Sequence, residues 1–188
     1  MKRAWIFLAI LVFLILVGTA WYVSGLNRIV RMDEEVNEAW AQIDTQLKRR
    51  SELIPDLVNA VKGYMKHERE VLTHIADARS ALVGAKTVAE KLKAARELDG
   101  ALGRLLAIVE RYPDLKANQT FLRLMDELAG TANRIAVARV RYNRAVKAFN
   151  AHIREIFGRF FAKRRGLAEP RTYFEVEEEE AQKPPVEF

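Results

Sequence analysis

Three histidines are the residues of this 188-residue sequence best suited to hold a metal ion or to transfer a proton near neutral pH. His67 and Glu68 begin like the His-Glu-x-x-His motif of zinc proteases, but Val71 stands where the second histidine is needed. His67 and His74 are seven residues apart, which on a helix separates them by about 10 Å along the axis, too far for one metal ion. We therefore interpret them as exposed polar residues, and His152, which precedes an apolar position, as a packing residue.

Other catalytic patterns are missing from the sequence. It contains no cysteine, no glycine-rich phosphate loop, and no serine with a histidine or lysine at a spacing typical of an activated nucleophile. Its clustered carboxylates lack the Glu-x-x-His partners that build a metal centre inside a helical bundle. We therefore expect no enzyme activity, no cofactor and no metal site.

Basic side chains are concentrated between residues 139 and 171, where ten Lys or Arg face two Glu. Such a stretch can bind nucleic acid or an anionic membrane surface. For a chain tethered to a membrane we expect lipid head groups or an acidic protein and no nucleic acid, the alternative being an ordinary solvated face. The candidate interaction residues are Arg141, Arg144, Lys147, Arg154, Lys163, Arg164, Arg165 and the terminal Phe188.

The first 26 residues are typical of an uncleaved membrane anchor. No charged residue occurs from Ala4 to Leu26, a run of 23, and about 20 helical residues cross a hydrocarbon layer of about 30 Å. The apolar run is longer than the 7–15 residues of a signal peptide. Near its two ends stand aromatic residues of the kind that favour the membrane–water interface, namely Trp5, Trp21 and Tyr22.

Long amphipathic helices are expected to follow the anchor. From Val36 to Leu82 a pattern with alternating steps of four and three is apolar at twelve of 14 positions, which predicts helix rather than strand. Pro55 lies inside this stretch and cannot donate a hydrogen bond to the carbonyl of residue 51. The unbroken register predicts a kink there rather than a break.

Two further helices are predicted. Gly84 and a capping box at residues 87–90 indicate a stop and a new start, and Pro113 ends the second helix. The third begins at a capping Asn118, is apolar at eleven of 12 pattern positions through Phe160, and ends near Gly166. Three pattern positions are charged, which predicts either interior ion pairs or contacts with another subunit, unless these side chains reach solvent: Arg50, Glu68 and Arg139.

Several blocks of sequence carry a family resemblance: Asn37–Arg50, Leu53–Val58, Val61–Tyr64, Lys66–Glu68, Tyr112–Asn118, Phe121–Leu122, Glu127–Leu128, Thr131–Ile135, Tyr142–Asn143, Asn150 and Pro185–Phe188. In this order they resemble the LemA family of bacterial membrane proteins, over essentially the whole chain. Ala132 departs from the family pattern, in which we expect Glu within Thr-Glu-Asn, and this puts a role of that carboxylate in doubt.

The resemblance implies a single-span anchor followed by an antiparallel bundle, usually of four helices, which requires a break at or near Pro55. It implies no assigned catalytic residue; relatives are associated with bacterial membrane organelles or lie beside membrane-protease genes. We therefore expect an all-α chain: an anchor with a short basic amino terminus (1–26), a bundle of three to four long helices (27–166) and a flexible acidic tail (167–188), in which residues 175–188 hold six Glu and one Lys.

The expected function is that of a scaffold or adaptor that acts by coiled-coil-like association with itself or with a membrane protein. Two alternatives stay open: an accessory factor of a membrane protease, which would bind the tail, and a membrane-shaping protein that binds anionic lipid. We expect a single-pass protein of the cytoplasmic (inner) membrane. The charges on the two sides of the span, Lys2 and Arg3 against Arg28 and Arg31, are too similar to decide its orientation.

Overall fold

A computed structural model describes residues 2–65 and 68–174, and within these residues every regular element is a helix. The described residues belong to two compact units. Within the described residues, the first unit comprises residues 2–39 and 141–174, and the second comprises residues 40–65 and 68–140. The helices are α1 (Lys2–Lys62), α2 (Arg69–Gly84), α3 (Val88–Val109), α4 (Pro113–Lys116), α5 (Gln119–His152) and α6 (Ile156–Arg165).

Helix α1 contains the predicted anchor and continues beyond it. Its amino-terminal part is long and apolar enough to cross a membrane, the only such helix among the described residues. From Trp5 through Ser24 the side chains of this isolated chain are all exposed, whereas Ile29 and Val36 further along are buried. The helix therefore changes from a candidate membrane span to a core-forming element without interruption.

The helix also continues through Pro55, as the unbroken register predicts. Because Pro55 has no N–H to offer the carbonyl oxygen of Ser51, that oxygen lacks its usual helical donor. The Nε of Arg79 in α2 donates to it instead, at 2.9 Å. The proline is thus tolerated with the help of a neighbouring helix.

The apolar pattern predicts one continuous helix from residue 36 to residue 82, and this prediction was wrong because two successive helices cover that stretch. Helix α1 ends at Lys62, where the N–H groups of Tyr64 and Met65 both bond to the carbonyl of Val61, and α2 begins at Arg69. The break therefore follows Pro55 by two turns. The apolar pattern runs across it because both helices place their apolar residues in the same core, with Val61, Met65 and Leu72 all buried.

Polar contacts in the second unit fix the directions of α3 and α5 relative to α1. Partners of α1 residues advance along α3 in the same order as along α1, so these two helices are parallel. Towards α5 they run in the opposite order, so α5 is antiparallel to α1, while the contact with α2 joins that helix to α1 without setting its direction. The contacts are Arg79–Ser51 for α2, Lys91–Asp44 and Asp99–Arg50 for α3, and Asn118–Tyr64 and Glu127–Arg49 for α5.

The predicted helix caps are confirmed. The Thr87 hydroxyl accepts from the N–H of Glu90 at 3.2 Å, and the Glu90 carboxylate accepts from the N–H of Thr87 at 3.0 Å. Asn118 Oδ1 accepts from two N–H groups at the start of α5, both at 3.0 Å. Gly166 ends α6 with φ of 70°, in the left-handed region that suits glycine.

The third predicted helix is divided in two, which the pattern did not predict. Helix α5 ends at His152 and α6 starts at Ile156, separated by a turn in which the N–H of Glu155 bonds to the carbonyl of His152. The His152 ring also contacts the Glu155 carboxylate at 2.8 Å. Gly158 makes this turn feasible, because a Cβ there would lie 1.9 Å from the carbonyl oxygen of His152.

The segment after Gly166 is not a free tail along its whole length. Residues 171–174 lie alongside α5 as extended chain and exchange hydrogen bonds with its side chains. The expected start of a flexible tail at residue 167 was therefore wrong for this stretch, since backbone groups of Arg171 and Phe174 are held by amide side chains. The acidic residues 175–188 lie outside the described residues.

Candidate membrane-contacting site

The predicted interfacial aromatic residues stand at the two ends of the candidate membrane span. Trp21 follows Trp5 by sixteen residues, which is about 24 Å along a helix that rises about 1.5 Å per residue. This separation suits a hydrocarbon layer of about 30 Å with one aromatic ring near each edge. Tyr22 lies beside Trp21 at the end where α1 leaves the apolar run.

Helix α6 packs against this end of the span. The ring of Trp21 meets Phe157 at a centroid distance of 5.3 Å and Phe161 at 5.2 Å, both edge-on. Tyr22 contacts Phe160 at 6.4 Å and Phe161 at 5.8 Å. Such edge-to-face pairs are favourable beyond simple burial. The aromatic cluster thus joins two segments that lie far apart in the sequence.

Gly25 provides the surface on which Phe161 lies. A Cβ at position 25 would be 2.2 Å from the Phe161 ring, whereas Phe161 itself is almost completely buried. The ring therefore rests directly on the backbone of α1. Gly18, two turns earlier in the same helix, provides no such surface, because a Cβ there would have nothing within 4 Å.

The other face of α6 is apolar and exposed. Ile156 is 86% exposed, Phe157 63% and Phe160 42%. At 100° per residue these three positions fall within one side of the helix, while Phe161 and Ala162 form the buried side. Helix α6 is therefore apolar on its packed side and also on the side that the chain leaves uncovered.

Three of the predicted basic residues form the last turn of α6. Lys163, Arg164 and Arg165 are all exposed, and the guanidinium carbon of Arg164 lies 5.6 Å from the centre of the Phe160 ring. Positive charges at a helix carboxyl end are favourable for the helix dipole. The basic end and the apolar face therefore belong to the same short helix.

The remaining basic candidates occupy α5 and the turn after it. Arg141, Arg144 and Lys147 are exposed, on the side of α5 away from the buried Tyr142, Val146 and Phe149. Arg154 is exposed in the turn between α5 and α6. The structure thus leaves all of them accessible to solvent or to a partner, and Phe188 lies outside the described residues.

A short strap, residues 171–174, closes the first unit beside α5. Arg171 donates from its guanidinium to Asp33 of α1 at 2.5 and 3.1 Å, and its backbone exchanges hydrogen bonds with the Asn150 side chain, both at 2.8 Å. Asn143 makes the same exchange with Phe174, at 2.8 and 2.9 Å.

The hydroxyl of Tyr142 donates to the carbonyl oxygen of Thr172 at 2.8 Å, and burial raises the pKa of this tyrosine. The blocks that carry the family resemblance around Tyr142-Asn143 and Asn150 therefore hold the strap. No sequence pattern predicted this function for them, because the partners are mostly backbone groups.

The charged pattern positions are engaged inside the chain. Arg50 pairs with Asp99 at 2.5 Å. Glu68 accepts a hydrogen bond of 2.7 Å from the hydroxyl of Tyr112, and this bond to a carboxylate raises the pKa of Tyr112. For these two residues the structure agrees with interior pairing; Arg139 is partly buried.

The histidines and carboxylates of the described residues form no group of three or more that could hold a metal ion. His74 is exposed and His152 is buried, while His67 lies outside the described residues. A cleft of about 360 Å³ lies between α1, α2 and α3, and three of its charged lining residues have partners in the chain: Lys91 on Asp44, and Arg79 on the Ser51 carbonyl.

Sequence reasoning missed the residues that dock α6, namely Gly25, Phe157, Gly158 and Phe161. The apolar pattern continues through Phe160 and Phe161 and therefore places them at the end of one long helix. The available signal was the ten-residue run from Ile156 to Arg165, which is apolar on two sides and ends in three basic residues.

Comparisons with known proteins agree with the resemblance. A model of the LemA family matches residues 39–188. Protein LemA of Metamycoplasma hominis is 30% identical over 152 residues, covering 78% of this chain and 68% of that protein. Magnetosome protein MamQ 2 of Paramagnetospirillum magneticum and MamQ of Magnetospirillum gryphiswaldense are each 28% identical over 153 residues, covering 68% of this chain but only 56% of their own length. With its family model matched over most of its length, this chain belongs to the LemA family.

Proposed function

We propose that this protein is a membrane-anchored helical scaffold or adaptor that acts by binding other proteins and catalyses no reaction. The observation that carries the proposal is the continuity of α1, which runs from the candidate span through Ile29 and Val36 in the core of the first unit. One uninterrupted helix thus contains both the anchoring segment and core-forming residues, without a linker. Such an arrangement suits a protein whose task is to hold partners at a membrane.

The proposed location is the cytoplasmic membrane, which α1 would cross once. The charge-free run from Ala4 to Leu26 supports this location, as do the aromatic residues at its ends. The relatives are named for their family or for the magnetosome, and none of these names states a reaction.

The proposed partners are the bilayer and either a second copy or another membrane protein; we expect no nucleic acid. Apolar side chains on α5 of the second unit support a protein partner, because Val137 is 57% and Val140 58% exposed. Their spacing of three places them on the same side of the helix. Neighbouring exposed valines are suited to helix–helix association.

Site-specific crosslinking tests this proposal, since the chain has no native cysteine. Val140→Cys in the full chain, treated with a bifunctional thiol reagent in native membranes, should give a discrete larger species. Lys93→Cys, exposed on α3, is the matched control and should give little. Only monomer from both variants, together with a monomeric mass in mild detergent, would exclude an assembly function.

A second function, shaping the membrane by binding anionic lipid, is favoured by the exposed Arg141, Arg144 and Lys147 on α5. Basic residues near an anionic surface each contribute about 1 kcal/mol, and salt screens the attraction. Reconstituted full chain should then change vesicle size or tubulation only with anionic lipid and at low salt. Equal effects on neutral vesicles would contradict this function.

A further inference from the structure

We propose that α6 is a second membrane contact, an interfacial helix whose exposed face lies in the lipid surface at the point where α1 leaves the bilayer. The residues of this face are Ile156, Phe157 and Phe160. The first unit would then be seated on the membrane by two segments rather than suspended from one. This inference rests on the proposed anchoring by α1.

The depth of α6 follows from its contact with Trp21. If the charge-free run of α1 crosses the hydrocarbon layer, Trp21 lies near the layer's edge, about 24 Å from Trp5. The ring centroid of Phe157 is only 5.3 Å from that of Trp21. A ring that close to an interfacial tryptophan lies at almost the same depth.

The exposed apolar side chains of α6 are suited to an apolar environment on the side where Trp21 lies. Ile156 and Phe157 are the most exposed apolar residues of this helix, at 86% and 63%, and Trp21 is half exposed beside them. Exposed apolar side chains of this size, grouped together, mark a contact surface. The face is continuous with the surface of α1 that a bilayer must cover in any case, and this continuity favours lipid over a second copy of the chain.

The charge distribution of α6 is that of a helix in the membrane surface. Interfacial helices combine one apolar side with Lys and Arg whose heads reach the lipid phosphates. Here Lys163, Arg164 and Arg165 are exposed at one end, and the guanidinium carbon of Arg164 lies 5.6 Å from the centre of the exposed Phe160 ring. Anionic head groups therefore fit beside this end of the helix.

Depth-dependent quenching of a single fluorophore tests the inference on the full chain. Because there is no native cysteine, Ile156→Cys carries the only label, and its side chain makes no buried contact that the label would disturb. Glu38→Cys, exposed on α1 of the same unit, is the control for a solvent-facing position, and Leu14→Cys is the control for the span. Each variant is placed in nanodiscs that hold one chain.

The expected result is that lipids brominated near the head group quench the label at 156, while aqueous iodide quenches it severalfold less than the label at 38. If iodide quenches the label at 156 strongly while lipid still quenches the label at 14, the inference is overturned. The proposed anchoring by α1 is not affected by that result. A label at 14 that is not quenched by lipid overturns the proposed anchoring itself. If the label at 156 is shielded from iodide only when several chains share a vesicle, a second copy of the chain covers this face. That result also overturns the inference.

A charge-matched pair of variants tests the head-group contact. In nanodiscs with anionic lipid, replacing Lys163, Arg164 and Arg165 by Gln should raise iodide quenching of the label at 156. Each charge removed should increase the population in which this label is exposed to water by roughly fivefold. Replacing Lys93, Arg96 and Arg104 by Gln removes the same charge from the exposed side of α3 and should have a much smaller effect. Equal effects of the two triple variants would contradict the assignment of head-group binding to the end of α6.

Discussion

The Nε of Arg79 donates a hydrogen bond of 2.9 Å to the main-chain oxygen of Ser51, the oxygen that the N–H of residue 55 would bond in a regular helix. Residue 55 is proline, so the oxygen has no such donor, and Ser51 is only 4% exposed, so water has little access to it. A side chain from α2 thus completes the hydrogen bonding of α1 and allows that helix to pass through a proline.

Replacing the Arg79 donor is therefore expected to be costly only while Pro55 is present. Arg79→Met should lower the free energy of unfolding by about 1–3 kcal/mol, because it leaves the buried Ser51 carbonyl without a partner. In the Pro55→Ala background the same change should cost less than about 1 kcal/mol, since the alanine N–H supplies the bond. Denaturant unfolding in detergent micelles, followed by circular dichroism, measures this cycle.

Arg69→Met, an exposed arginine of the same helix, is the control for that cycle and should stay within about 0.5 kcal/mol of the parent chain. Equal costs of Arg79→Met with and without Pro55 would show that the arginine stabilises the fold in another way.

Gly25 should be indispensable for docking α6. Gly25→Ala places a Cβ 2.2 Å from the ring of Phe161 and should destabilise that contact by about 1–3 kcal/mol. Gly18→Ala, with nothing within 4 Å, should not. Hydrogen exchange of the α6 amides in nanodiscs reports the difference. In a Phe161→Ala background the Gly25 substitution should add little, and a fully additive loss would contradict the proposed contact.

The helical fold class, the candidate membrane span and the caps could be predicted because their physical causes are local. A charge-free run, a spacing of three and four, and a Thr-x-x-Glu box are properties of neighbouring residues. Thr87, Glu90, Asn118 and Gly166 accordingly have the predicted roles. Family membership could also be inferred from contiguous blocks, and the family model confirms it.

The helix breaks could not be predicted from the apolar pattern. That pattern reports which residues face a core, and it stays in register when two successive helices face the same core. Hence Pro55, a strong breaker, lies inside a helix, while the break between His152 and Ile156 contains neither Gly nor Pro. At Pro55 the side chain of Arg79, distant in sequence, allows the helix to continue. After His152 a compact turn ends the helix.

The candidate site could be predicted only in its basic part. Lys163, Arg164 and Arg165 are recognisable by charge, but the docking of α6 depends on Gly25 lying opposite Phe161, 136 residues later in the chain. The strap was missed for a similar reason. Asn143 and Asn150 bind backbone groups, and a backbone group leaves no signature in the sequence.

The capping box should make the start of α3 sensitive to acid. Hydrogen bonds from the N–H groups of Lys86 and Thr87 lower the pKa of Glu90 below its ordinary 4.5. Its contribution to stability is therefore complete above pH 4.5 and is lost as the pH falls through the lowered pKa. Glu90→Gln should remove this acid dependence, measured by hydrogen exchange at the start of α3, whereas Glu97→Gln on the exposed side of the same helix should keep it.

Alkaline pH should loosen the strap through Tyr142. Burial raises the pKa of this tyrosine above its ordinary 10, so the neutral phenol is the form that the fold favours. The stabilisation is full below pH 10 and is lost as the pH rises through the raised pKa. Tyr142→Phe should cost about 1 kcal/mol at neutral pH by removing the bond to Thr172, and should flatten the alkaline loss seen in unfolding curves. Tyr173→Phe, an exposed neighbour, should change neither.

The ion pair between Asp33 and Arg171 should hold the strap on the first unit. Asp33 is 8% exposed, and its two oxygens accept from Arg171 and, at 3.4 Å, from Asn37. Because one partner stays partly solvated, Asp33→Asn should cost about 1–2 kcal/mol rather than the 3–5 kcal/mol of a fully buried pair. The amides of Arg171 and Phe174 should then exchange about tenfold faster, since their protection requires a closed strap. Glu34→Gln, an exposed carboxylate beside Asp33, should leave both exchange rates unchanged, and unchanged rates in Asp33→Asn would show that the asparagine contacts alone suffice.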